Sequence, residues 1–175
     1  QSGTMVLDGL FINTVNANPD ITVNSGATLI SGSADRIVDT ATVTIDNGGI
    51  WDLGSGGNNG DDTVTTFNAG GRLDNGGPGI STLTALTYNL TGGALINANL
   101  GTGVLNSNNS IVNAANTLSG DAAVNDVNIT SGVFNLDGEL TVVDTVDISS
   151  GAVVNLGSSE RINDGAIVSN LGELD

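Results

Sequence analysis

The sequence predicts an all-β protein, a parallel β-solenoid of about eight turns, and three observations support this fold class. An apolar column recurs at intervals of 14 to 23 residues. Short β-prone segments flank glycine-containing turns, and no long segment keeps a helical period. One turn of this length cannot bury its own apolar side, whereas stacked turns bury a continuous core.

The repeat is anchored on one small residue in each turn. The anchors are Gly26, Gly48, Gly70, Gly93, Ala115, Gly132, Gly151 and Gly165. The residue three positions earlier is apolar in every copy: Val23, Ile45, Phe67, Leu90, Val112, Ile129, Ile148 and Ile162. We expect these eight side chains to stack as one internal file.

A second column follows each turn. Three positions after the anchors stand Leu29, Trp51, Leu73, Ile96, Leu118, Asn135, Val154 and Val168, which are apolar in all copies but one. The phase slips by one at Asn135, where Phe134 and Leu136 flank the position. The residue two positions before each anchor is polar in every copy, so it can bond the turn backbone or stack as a polar ladder. These residues are Asn24, Asp46, Asn68, Thr91, Asn113, Thr130, Ser149 and Asn163.

The alternative fold is an antiparallel β-sandwich, which also has short strands and glycine-rich turns. Sandwich strands show turn signals every ~8–12 residues but no sequence similarity to one another. The repeated column therefore favours the solenoid.

The chain divides into three regions. Residues 20–170 carry the solenoid repeats, residues 171–175 form a C-terminal tail, and residues 1–19 precede the repeats. The segment MVLDGLFINTV (5–15) is apolar and β-prone, so it is either a cap on the first turn or a strand exchanged between subunits. Uncapped solenoid ends expose unpaired backbone groups, so we expect a homo-oligomer that grows as a head-to-tail filament. A piece of a longer solenoid would show the same ends.

Composition narrows the classes of partner and activity that are expected of this chain. The net charge is -16, and the only basic residues are Arg36, Arg72 and Arg161. This balance argues against nucleic acid and anionic membranes as partners, and no apolar stretch is long enough for membrane insertion. Cys, His and Lys are absent, so the usual nucleophiles and bases are missing and only a carboxylate pair such as Asp61 with Asp62 is left. We expect no enzyme.

One loop resembles a calcium-binding nonapeptide. The stretch GGNNGDDTV (56–64) matches G-G-x-G-x-D-x-U-x with one residue inserted. Asp61, Asp62, Asn58 and Asn59 would supply the oxygen ligands that Ca²⁺ takes. Because the nonapeptide works as a tandem array and this copy is single, a solvated loop between turns is the alternative. Calcium is the only cofactor that the sequence suggests.

The units VNITSGVFNLDG and VDISSGAVVNLGS resemble the β-strand repeats of autotransporter passengers and related large bacterial surface adhesins, and the resemblance covers residues 20–170. It implies a parallel β-helix that is extracellular or displayed on the cell surface, with glycans or cell-surface receptors as partners. The expected function is a non-enzymatic scaffold, adhesin stalk or self-assembling fibre subunit. The alternative is a carbohydrate-directed β-helix, which outward aromatic rings and clustered carboxylates along one groove would mark.

Overall fold

The computed structural model describes residues 3–7, 20–54, 60–75, 81–111 and 114–175. In these ranges the chain forms β-strands and no helix. The described residues accordingly contain no helix long and apolar enough to cross a membrane. The first strands are β1 (Gly3–Leu7), β2 (Asp20–Val23), β3 (Ala27–Ser31), β4 (Thr42–Ile45), β5 (Ile50–Asp52), β6 (Asp62–Ala69), β7 (Arg72–Asp74), β8 (Thr82–Thr91) and β9 (Leu95–Ile96). The later strands are β10 (Asn99–Leu100), β11 (Val104–Asn108), β12 (Ala115–Leu118), β13 (Ala122–Val124), β14 (Asp126–Leu136), β15 (Leu140–Val142), β16 (Thr145–Ile148), β17 (Ala152–Leu156), β18 (Ile167–Asn170) and β19 (Glu173–Leu174).

These strands build the three faces of a parallel β-solenoid, which confirms the predicted fold class. Every pairing among them is parallel. Face 1 contains β2, β4, the second halves of β6 and β8, β11, the first part of β14, β16 and β18. Face 2 contains β1, β3, β5, β7, β9, β12, the second part of β14, β17 and β19. Face 3 contains the first halves of β6 and β8, with β10, β13 and β15.

The described solenoid makes about seven turns, close to the eight expected. Because each strand pairs in parallel with the strand one circuit later, the antiparallel sandwich is the wrong alternative. The strands on each face stack at ~4.8 Å, so the rod is roughly 34 Å long.

Strand pairing revises the internal file expected on face 1. The inward residues in register there are Val23, Ile45, Ala69, Leu90, Ser107, Ile129 and Ile148. Phe67 instead lies in the neighbouring file, and Ile162 pairs with Leu140 on face 3. Val112 lies outside the described residues.

Unequal turn lengths explain these differences. The turn from face 1 to face 2 spans residues 46–49 in one circuit, 70–71 in the next and 109–114 further along. A glycine marks such a turn, but the register of the preceding strand is set by its pairing with the adjacent circuit. Five of the anchor glycines adopt the left-handed conformation that a residue without a side chain adopts freely, with φ between 73° and 90° at Gly26, Gly48, Gly93, Gly132 and Gly151.

The column after the turn is regular. On face 2 the in-register inward residues are Met5, Leu29, Trp51, Leu73, Ile96, Leu118, Leu136 and Leu156. Leu136 completes the column at the point where the sequence phase slips, and Asn135 lies half-buried beside it. Val154 belongs to the neighbouring file with Phe134, and Val168 lies on face 1.

The described aromatic side chains are all core residues. Trp51, Phe67, Tyr88 and Phe134 are buried, while Phe11 lies outside the described residues. The Trp51 indole N–H donates to Ser31 Oγ at 3.0 Å, which satisfies its one polar atom inside the core.

Candidate functional site

An asparagine ladder runs along the outer side of face 1. Asn68, Asn89, Asn106 and Asn128 occupy in-register positions on successive turns. Each Nδ2 donates to the side-chain oxygen one turn earlier, at 2.9–3.2 Å, and Thr44 Oγ1 is the first acceptor. The amides therefore satisfy one another and tie adjacent turns together. The ladder expected beside the turn anchors contains only Asn68 of these four.

Asp61 and Asp62 lie on opposite sides of the wall at the start of β6. The Asp61 side chain is exposed, and its Oδ1 accepts the N–H of Thr82 on the following turn at 2.7 Å. Asp62 is only 2% exposed, and its Oδ2 accepts the N–H of Ile37 on the preceding turn at 3.3 Å. The two carboxylates thus bond neighbouring turns in opposite directions, which does not suit a cooperating catalytic pair.

Burial controls the ionisation of Asp62. Desolvation raises the pKa of Asp62 from 3.8 to about 7, because the charged form is disfavoured away from water. Backbone hydrogen bonds from Thr63 and Ile37 lower the pKa, and the negative charge of Asp35 raises it further. The net effect leaves a carboxyl group inside the wall that titrates near neutral pH.

The calcium site stays a prediction. Asn58 and Asn59 lie outside the described residues, so the structure gives a position for only two of the four predicted ligands. Within the described ranges, no group of three or more Asp or Glu side chains is arranged to hold a metal ion. Of the four predicted ligands, Asp61 is the one that is both described and exposed.

A shallow cleft of about 570 Å³ lies on face 2 beside the long turn 109–114. Asn109 anchors this turn, since its Nδ2 donates to the Ala114 carbonyl at 2.7 Å and its Oδ1 accepts the N–H of Ile111 at 3.0 Å. Asn135 and Asn155 also line the cleft and are hydrogen-bonded to each other at 2.9 Å. The described lining offers amide groups and no aromatic ring.

The last turn leaves its inward positions open. Val168 continues the face 1 file of Val146, and Leu174 continues the face 2 file of Val154. These two core positions are 41% and 38% exposed, whereas their predecessors are buried. Among the described residues, no further strand pairs with β18 or β19 beyond the last turn.

Comparisons with protein-family models, curated proteins and solved structures gave no match to this chain. The resemblance to surface-adhesin repeats therefore rests on the sequence units alone. The parallel solenoid that it implied is present in the structure.

Sequence reasoning missed the asparagine ladder. The ladder has a local signal, because each of its asparagines stands between two inward residues, as in Tyr88-Asn89-Leu90 and Val127-Asn128-Ile129.

Proposed function

We propose that this protein is a non-enzymatic structural scaffold or stalk unit that works outside the cell or on its surface. The observation that carries the proposal is the stacking of in-register parallel strands through about seven turns around one continuous apolar core. Each turn bonds to the next through backbone and ladder side chains, so the rod resists bending and separation of its turns.

The chemistry of the wall supports a structural role. The described aromatic rings are buried, so no described ring is available to stack on a sugar. The carboxylates of Asp61 and Asp62 already accept backbone N–H groups from neighbouring turns. Their hydrogen bonds hold the fold together rather than meeting around a common substrate.

Single-molecule pulling and polysaccharide assays test the structural role together. We expect an extended molecule that resists force and unfolds turn by turn from an end, with no hydrolase or lyase turnover on acidic or neutral polysaccharides. Turnover that Asp61→Asn or Asp62→Asn abolishes would overturn the proposal in favour of an enzyme.

The second candidate is carbohydrate binding without catalysis, and the amide-lined cleft beside the turn 109–114 favours it. Asn135 and Asn155 offer donors and acceptors of the kind that hydroxyl groups require. A glycan array with the parent and with Asn155→Ala distinguishes the candidates. A glycan bound by the parent alone would favour carbohydrate binding, and the scaffold role predicts no such glycan.

Head-to-tail filaments remain a separate prediction. Among the described residues, β1 adds a strand to face 2 before β3 but no strand precedes β2 on face 1. In the last described turn, β18 on face 1 and β19 on face 2 lie at the same level. The described strands at the two ends therefore do not match one to one when one copy is stacked on another. Electron microscopy of the parent and of a variant without residues 1–15 tests whether filaments form and whether that segment is needed.

A further inference from the structure

Three copies of the sequence Asn-x-Ser/Thr occur in the chain, and in such a sequence the asparagine amide is an acceptor for an N-linked sugar. They begin at Asn89, Asn108 and Asn128. Such sequences also arise by chance in a chain rich in asparagine, serine and threonine, so residue type does not select among the three. The structure does, because the three amides differ in exposure and in hydrogen bonding.

Two of the three amides are held in the asparagine ladder. Asn89 and Asn128 are half-buried, and each Nδ2 donates to the ladder oxygen one turn earlier, at 2.9 Å and 3.0 Å. The threonine that ends each of these two sequences also donates its hydroxyl proton to a backbone carbonyl one turn earlier. Attaching a sugar to either asparagine would therefore require the ladder to open.

Asn108 stands outside the ladder. It is exposed, its Oδ1 accepts the Ser131 hydroxyl at 2.7 Å, and its Nδ2 has no acceptor within the described ranges. The residues that pair with it on the adjacent turns are Thr91 and Ser131, whose side chains are short. The Asn108 amide is therefore accessible on the outer wall.

The other two residues of this acceptor sequence leave its hydroxyl accessible as well. Asn109 is 3% exposed, and its side chain is hydrogen-bonded to the backbone of the turn 109–114. Ser110 is exposed, and no described group is hydrogen-bonded to its hydroxyl. The asparagine and the serine that an enzyme must recognise are thus both at the surface, with the buried Asn109 between them.

The backbone at Asn108 departs from the regular register. Ser107 pairs with Ile129 of β14 and Asn108 pairs with Ser131, so Thr130 is an extra residue at this point. A bulge of this kind locally disrupts the backbone hydrogen bonds between strands. Because β11 also ends at Asn108, this segment can leave the wall with fewer broken hydrogen bonds than a segment inside a strand.

We propose that Asn108 is a glycosylation site, whose sugar is transferred to Nδ2 from a donor in which C1 is linked to a diphosphate. The bond between C1 and the diphosphate oxygen breaks, the bond between C1 and Nδ2 forms, and Nδ2 gives up one proton to a base of the transferase. No atom is oxidised or reduced. The proposal rests on the proposed function at the cell surface, where a bulky attached sugar increases solubility.

Two kinds of asparagine glycosyltransferase test the site on the folded full chain. One uses a nucleotide-linked monosaccharide and the other a lipid-linked oligosaccharide, and the added mass distinguishes the two donors. We expect one sugar per chain from at least one enzyme, located at Asn108 by peptide mass spectrometry. Peptides of residues 86–94, 105–113 and 125–133 are the unfolded reference, and that enzyme should modify all three because each contains a complete acceptor sequence.

Matched variants each change one hydroxyl group and leave every asparagine in place. Ser110→Ala should abolish modification of the folded chain, whereas Thr91→Ala and Thr130→Ala should leave it unchanged. Ser110→Thr keeps a hydroxyl at this position and should be modified like the parent. Thermal melting of each variant checks that the fold is retained.

Three results would overturn the site. These are a folded chain that both enzymes leave unmodified, modification of Asn89 or Asn128 in the folded chain to the same extent as Asn108, and an unmodified Asn108 in protein isolated from its native cells. Antibody labelling of intact native cells judges the surface location independently. A chain that is labelled from outside but carries no sugar at Asn108 would remove the glycosylation site only.

Discussion

The Asn116 Nδ2 atom donates to Ser107 Oγ at 2.9 Å inside the core, where both side chains are fully buried. Both residues belong to the same coil of the solenoid, and the long connection 109–114 lies between them. On the coils before and after, the residues paired with them are apolar. Ser107 lies between Leu90 and Ile129, and Asn116 lies opposite Phe134. A polar pair replaces apolar side chains at one level of the core, and each member satisfies the other.

The Asn116 side chain saturates its hydrogen-bonding capacity. Its Oδ1 accepts the N–H groups of Gly93 and Ala94, and its Nδ2 donates to the Leu90 carbonyl as well as to Ser107. The Asn116→Ala variant would leave these buried backbone groups without partners. We expect it to lower the free energy of unfolding by about 3 kcal/mol or more, measured by chemical denaturation.

Asn106→Ala is the matched control for Asn116→Ala, because Asn106 lies on the same turn but in the outer ladder, where water can replace its partners. We expect that control to cost about 1 kcal/mol or less. A double-mutant cycle with Ser107→Ala measures the coupling of the buried pair. Equal costs for the two asparagines would contradict the assigned burial of Asn116.

Much of the fold could be predicted from the sequence, because its core repeats one layer at a time. The parallel solenoid and the face 2 column were predictable, since Leu29, Trp51 and Leu73 recur at regular spacing after the turn. The face 1 register was not predictable at Ser107, because the turn after it is longer than the others. Turn length is a local property, but the identity of the paired residues depends on the adjacent turn.

The candidate sites were less predictable than the fold. The acidic pattern at Asp61 and Asp62 drew attention in the sequence, yet the pattern carried no sign that Asp62 faces inward. Its burial follows from its pairing with Leu83 on face 3, a residue 21 positions later in the chain. Such long-range placement, rather than residue type, determines the ionisation of this carboxyl group.

The face 1 file predicts a large difference between two neighbouring positions on β14. Ile129 is buried in the file, whereas Asn128 lies outside in the ladder. Ile129→Asp would bury an unpaired charge, so we expect a loss above about 4 kcal/mol and a chain that fails to fold cooperatively. Asn128→Asp should cost about 1 kcal/mol or less. If thermal melting places both variants within a degree or two of the parent, the file is incorrectly assigned.

Calcium binding near Asp61 is tested by titration calorimetry. If the loop holds Ca²⁺, Asp61→Asn should weaken binding at least about tenfold, because it removes an exposed charged ligand. Asp147→Asn is the control, since Asp147 is an exposed acid on face 1 away from the loop. A heat signal that survives unchanged in the Asp61→Asn, Asp62→Asn double variant would eliminate the site and leave general screening of the acidic chain as its source.

Asp62 predicts a pH dependence of stability that one substitution should remove. The pKa of Asp62 is about 7 in the folded protein and 3.8 for an exposed side chain. Folding therefore favours the protonated form, so the contribution of Asp62 to stability is most favourable below pH 4, declines as the pH rises towards 7, and is constant above that.

The Asp62→Asn variant keeps an oxygen that accepts the Ile37 N–H and cannot ionise. It should match the parent near pH 4 and exceed it by up to about 4 kcal/mol at pH 8, because the parent then bears the cost of a buried charge. Chemical denaturation at both pH values measures the difference. Asp61→Asn, which changes an exposed acid one residue away, should show no comparable gain. If the free energies of unfolding of Asp62→Asn and the parent differ by the same amount at both pH values, Asp62 does not titrate in this range. The buried carboxyl group would then need another polar partner.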